Sequence, residues 1–283
     1  MTDAGTDLVI KLYFSGNVNN DQLIQSYKWI SDFIHAREIN RKVNIEYYSV
    51  AEEKRRRVQF FSRKEKELQL MLPELKFSYI EIYKLDDIEH AFHAFDLSFH
   101  FKLSQPLNIS LPGPPDNDAD GHICFGMNYE YWKGMINENF IEQVITELSS
   151  IINKGKTKIA YGIVAKMPRT KNPYFYISGI GNFSLTKDET SSVDLFSKRK
   201  IKANLWEPFW GNIITQEHLR SNNHFKELVE LLGEKNVIRM NGGLIFFKMP
   251  ASINEFEYGS TLHTKYKKEI HKLFLKYDAV ITE

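Results

Sequence analysis

Leu8-Val9-Ile10-Lys11-Leu12-Tyr13-Phe14 is an almost unbroken apolar run closed by the turn residues Ser15-Gly16-Asn17, the pattern of a buried strand. Leu23, Tyr27, Ile30 and Ile34 then recur at helical spacing, with Asn20 or Asp21 as the expected cap. Asn44 to Val50 reads as a second strand. Glu52 to Arg57 and Lys64-Glu65-Lys66-Glu67 are charge runs, read as solvated faces, with a short strand allowed at Val58–Phe61 and a helix around Leu68, Met71 and Leu72 that Pro73 must end. Phe77 to Tyr83 is apolar, and Phe95, Leu97, Phe99, Phe101 and Leu103 alternate with polar residues, the period of a strand with one wet face. His122 to Tyr131 reads as another strand.

Further on, Phe140, Ile141, Val144, Leu148, Ile151 and Ile152 form a helical stripe ending near Gly155, and Lys158 to Lys166 reads as a buried strand. Ser184 to Lys200 is polar and reads as loop. A helix is expected over Gln216–Leu232, capped by Thr215 and stopped by Gly233. Val237–Met240 and Leu244–Phe247 flank Asn241-Gly242-Gly243, a hairpin with a type I′ turn at Asn-Gly. A last helix, about 262–277, buries Leu262, Tyr266, Ile270, Leu273 and Phe274. The expected class is α+β, with mixed, largely antiparallel sheets and about five amphipathic helices. The clearest break is Pro112-Gly113-Pro114-Pro115-Asp116-Asn117-Asp118-Ala119-Asp120-Gly121. We therefore expect one α+β domain over 1–283, open to subdivision into two similar halves, 1–111 and 122–283, joined by the loop 112–121.

Composition changes this picture little. The 283 residues are 42% hydrophobic, 26% charged and 13% aromatic, ordinary for a folded domain rich in sheet. A net charge of +1 gives no general attraction to nucleic acid or to anionic membrane. The single cysteine, Cys124, cannot form an internal disulfide, the first residues lack a signal-peptide pattern, and no apolar run approaches the length of a bilayer crossing. A cytoplasmic protein with no membrane or nucleic-acid partner is expected.

Asp116-x-Asp118-x-Asp120-Gly121 matches the first half of a calcium loop, but Met127 stands where the bidentate Glu is required, so a solvated acidic loop tip is the preferred reading. His90, His93, His122 and Cys124 lack the doubled short spacing of zinc frameworks. The apolar neighbours of Cys124 suggest an inert buried thiol. Gly179-Ile180-Gly181 lacks the third glycine of a dinucleotide loop, which Ser184 replaces, and neither a nucleophile elbow nor a P-loop is present. No metal, cofactor or catalytic residue is assigned.

The segment Trp206-Glu207-Pro208-Phe209-Trp210-Gly211-Asn212-Ile213-Ile214, followed by a helix and then by Asn241-Gly242-Gly243-Leu244-Ile245-Phe246, resembles the C-terminal part of bacterial immunity proteins, the α+β antidotes of polymorphic and type VI secreted toxins. The resemblance covers about the last quarter of the chain and its general strand–helix order. It implies a non-catalytic protein that neutralises a cognate toxin by covering its active site. It implies a structural role for Trp206, Trp210, Gly211, Asn212, Gly242 and Gly243. For the toxin-binding surface we select the acidic tip Asp116, Asp118 and Asp120 with the neighbouring aromatics Tyr129, Tyr131 and Trp132, a negative loop beside hydrophobic anchors. An enzyme with an unrecognised site, hydrolase-like, and a general interaction module are the alternatives.

Overall fold

A strand apolar on both faces has to be covered on both faces, and the first run is. The computed structural model describes residues 6–37, 39, 43–49, 54–60, 62–73, 77–85, 95–103, 119–168, 205, 208–257 and 259–278. Within β1 (Thr6–Ser15), every side chain from Asp7 to Phe14 is buried. The strand lies inside the sheet, antiparallel to β6 (Gly121–Asn128) along one edge and to β7 (Lys158–Pro168) along the other.

The remaining strands are β2 (Val43–Ser49), β3 (Lys54–Gln59), β4 (Phe77–Leu85), β5 (Phe95–Leu103), β8 (Gly211–Thr215), β9 (Val237–Arg239) and β10 (Leu244–Lys248). All ten form one sheet in the order β3-β2-β4-β5-β6-β1-β7-β8-β10-β9, and every ladder is antiparallel. The fold is α+β. Where the sequence allowed mixed ladders in several sheets, the described strands make a single, wholly antiparallel one. β5 and β6, which flank the Pro/Asp-rich segment, pair directly from Leu97↔Met127 to Leu103↔Gly121. With β1 seated between β6 and β7, strands from both sides of that segment share the sheet.

Six α-helices fall among the described residues: α1 (Asn20–Ala36), α2 (Arg63–Met71), α3 (Tyr129–Trp132), α4 (Glu138–Ile152), α5 (Asn222–Leu232) and α6 (Thr261–Asp278). α1 and α4 lie side by side on the face formed by Leu8, Ile10, Leu12 and Phe14, where Trp29 and Phe33 meet Phe125 at ring-centroid distances of 5.3 and 5.2 Å. α5 and α6 pair on the opposite face beyond β7, where Phe274 stacks on Phe247.

Several local expectations shift for identifiable reasons. The cap of α1 is Asn19, which forms a reciprocal capping box with Gln22 and so outcompetes Asn20 and Asp21. Residues 54–57 of the charge run Glu52–Arg57 belong to strand β3, because Val58 is buried beside Ile45 and Arg57 pairs across to Glu46 at 3.0 Å. Glu65, read as solvated, is buried and accepts the Tyr27 hydroxyl hydrogen bond at 2.8 Å. β6 stops at Asn128, whose side chain caps α3, so Tyr129 and Tyr131 are helical. The helix expected over 216–232 divides: Thr215 and His218 close a 3₁₀ turn, Leu219 is extended, and Ser221 caps α5 afresh. Leu262 stays 39% exposed, while its neighbour His263 turns inward against Phe256. The 184–200 segment lies outside the described residues.

Candidate functional site

The residues selected from sequence separate into three groups. Asp116, Asp118 and Trp206 lie outside the described residues. Asp120 is committed to the fold: its Oδ2 accepts the Gly16 backbone N–H at 2.7 Å, and its own N–H bonds Phe14 O at 2.9 Å, tying the end of β1 to the start of β6. Tyr129 is buried, its hydroxyl donates to Asn254 Oδ1, and Lys166 Nζ lies 4.5 Å from its ring centroid. Burial, then the charge of Glu130, raises the Tyr129 pKa, which fits a structural hydroxyl. Only Tyr131 and Trp132 remain at the surface. Tyr131 is 64% exposed and meets Trp132 edge-on at 4.9 Å.

The Trp-Gly segment sits in the core. Trp210 is fully buried, and its indole N–H donates to Ala251 O at 2.8 Å. A Cβ on Gly211 would stand 2.7 Å from the Phe246 ring, so only glycine allows that ring to close over the strand. Asn212 binds both backbone groups of Phe209, accepting its N–H and donating to its O, which locks the chain entering β8. The hairpin of β9 and β10 is present, but the connection is a 3₁₀ turn over Asn241–Gly243 with φ of 76° at Gly242 and 77° at Gly243, and Met240 N bonds Leu244 O. The two-residue type I′ turn is replaced because both left-handed positions fall on the glycines.

The concave feature that sequence reasoning missed lies between α1 and α4. Here α1 presents Trp29, Asp32 and Phe33, its C-cap Arg37 follows, and α4 presents Phe140, Gln143, Val144 and Glu147, around an open cavity of about 340 Å³. Glu147 is held by two uncharged donors, Trp29 Nε1 at 2.7 Å and Gln143 Nε2 at 2.8 Å. Arg37 lies flat on Phe33, its guanidinium carbon 3.7 Å from the ring centroid, and donates to Phe33 O and Met135 Sδ. Burial holds the Arg37 pKa below its ordinary value, against the opposing pull of Glu147. Met135, which receives the Arg37 Nε hydrogen bond, bonds Trp132 O through its backbone N–H, and the half-buried Trp132 packs against the core. The available signal was Trp29 and Phe33, two aromatics one helical turn apart on the flank of the α1 stripe.

A second polar group lies on the other face of the central strands. Lys11, fully buried, places Nζ 4.8 Å from the Tyr13 ring centroid; Tyr13 meets His122 at 5.9 Å and Tyr161 at 6.2 Å, and Tyr161 stacks with His218. Cys124 is buried across from Lys11 in the same register. Of the imagined zinc ligands, His90 and His93 lie outside the described residues, and among the described residues no cluster of three or more His, Cys, Asp or Glu is arranged to hold a metal. Among the same residues no helix is long and apolar enough to cross a membrane.

No protein-family profile matches the chain, and no curated protein matches it in sequence. Among solved structures it is similar to the Pseudomonas aeruginosa T6SS protein PA0821, with a TM-score of 0.58 over 94% of this chain and 73% of that one, at 9% identity. At that identity the likeness is one of fold, and it extends over nearly the whole sheet-and-helix arrangement described above.

Proposed function

We propose that this chain is an immunity protein that binds a cognate bacterial toxin and occludes its active site, with no chemistry of its own. The observation that carries the reading is the α1–α4 cleft, lined by Trp29, Phe33, Phe140 and Arg37 beside Asp32 and Glu147. Large aromatics and arginine presented beside charge on a rigid scaffold are the groups that anchor protein interfaces. The cleft rests on helices held by the core, so the surface is preformed and binding need not order it. The sequence resemblance to immunity proteins supports the reading, and the likeness in fold to a T6SS protein accords with a secretion-related role.

The test is co-expression with the product of the adjacent gene. Rescue of growth together with co-purification is expected. No rescue and no complex would overturn the proposal. An enzyme is the second reading, favoured by the buried Lys11, Tyr13, His122 and Cys124 face; turnover of a substrate by the purified chain, abolished by Lys11→Met, would replace the first reading with this one.

A further inference from the structure

We infer that the α1–α4 cleft seats a lysine or arginine side chain of the protein partner, its cation between Asp32 and Glu147 and its stem along the aromatic wall. This rests on the proposed function for the identity of the partner; the cleft's own charge and shape call for a cation. α4 carries Glu138, Glu142 and Glu147 and no basic residue. Glu138 is already consumed by Lys248 of β10. Glu147 takes both its hydrogen bonds from an indole and an amide, and the Arg37 guanidinium acts on it only through space, its own hydrogen bonds going to Phe33 O and Met135 Sδ. Asp32 stands exposed on the facing helix and lines the same cavity. Among the described residues that line the cleft, the one cation is Arg37, turned to the C-terminal end of α1, where Phe33 and Met135 hold it. Two carboxylates against one committed guanidinium leave the cleft net negative, and the complement is a positive charge.

Shape agrees with charge. Trp29, Phe33 and Phe140 give an apolar wall for methylene groups, the arrangement in which long cationic side chains bury their stems and place the head against an aromatic face. About 340 Å³ lies at the small end of ligand cavities, room for a side chain.

Heptalysine and heptaglutamate, titrated into the full chain, test this through the Trp29 indole N–H resonance. Heptalysine is expected to shift it saturably, with affinity about tenfold weaker for Asp32→Asn combined with Glu147→Gln, and heptaglutamate to leave it unmoved. Asp32→Asn alone, an exposed change, carries the test if the double variant does not fold. Equal heptalysine affinity in the variants, or a response to heptaglutamate alone, would overturn the inference. If the wild-type chain rescues growth and the variants bind the toxin as tightly, the cleft assignment falls and the immunity reading stands. If heptalysine binds as stated and co-expression gives no rescue, the reverse holds.

Discussion

The two helical layers treat their polar side chains in opposite ways. Between α5 and α6, one carboxylate is paired across the helices. Glu227 accepts Lys276 Nζ at 2.7 and 2.8 Å and the Tyr277 hydroxyl at 2.8 Å, and the His224 ring stacks on Tyr277 at 4.3 Å with the planes 1° apart. Between α1 and α4, Trp29 and Phe33 rest on Phe125 of the sheet, while Asp32 and Glu147 line an open cleft with Arg37 as its one cation among the described lining residues. Each layer covers an apolar sheet face, so burial alone does not distinguish them. The difference is what holds the carboxylates: Glu227 is held by a lysine and a tyrosine of the facing helix, and Glu147 by an indole and an amide.

The contrast is probed most strongly from beneath. Phe125→Ala removes the ring under both Trp29 and Phe33 and should cost about 3–5 kcal/mol, read from chemical denaturation. Phe274→Ala, on α6 where its ring meets Phe247 of the sheet and His224 of α5, should raise hydrogen exchange in α5 and α6 while α1 and α4 remain protected; uniform loss of protection would mean that the layers are one cooperative unit.

A middle-sized effect separates the two flanks of α1. Tyr27 faces away from the cleft and donates to the buried Glu65, which Gln69 also contacts; burial pushes the Tyr27 pKa far above the usual tyrosine range, so the hydroxyl stays a donor. Tyr27→Phe leaves that carboxylate short of a donor and should cost about 1–3 kcal/mol, with heptalysine binding at the cleft unchanged.

The smallest effect belongs to the exposed α5–α6 cluster. The hydrogen bonds from Lys276 and Tyr277 hold the Glu227 pKa below its ordinary value. A lowered carboxylate pKa contributes stability that is present above the unfolded value and is lost as pH falls through the folded one. Wild type should therefore melt slightly above Glu227→Gln at neutral pH, and the gap should close on acidification through and below the carboxylate range. A gap that widens in acid would contradict this assignment.

Much of the fold was legible because its signals are local. The strand runs at 8–14 and 95–103 and the stripes of α1 and α4 fall where the periodicity puts them, since each period reports which face must be hidden. The stops at Pro73 and Gly233 were legible for the same reason. Glu65 was misread because a charge in a charged run looks solvated until Tyr27, 38 residues away, closes over it. The site was less legible than the fold. Of the six surface residues selected, Asp120 and Tyr129 serve the interior, and Asp116 and Asp118 lie outside the described residues. Side-chain type in a loop does not say whether the chain bends the group toward solvent or toward a neighbouring backbone N–H.

By itself the sequence determined the alternation of strands and helices, the class, and the apolar faces, because propensity and periodicity act over a few residues. Only the tertiary structure decided that β1 lies between β6 and β7, that Trp210, Gly211 and Asn212 form an interior lock, and that Asp32 and Glu147 face one cleft. Those outcomes depend on contacts between separate segments, more than a hundred residues apart for β1 with β6 and for α1 with α4, where register, packing and the satisfaction of buried polar groups choose among arrangements that local pattern leaves equivalent.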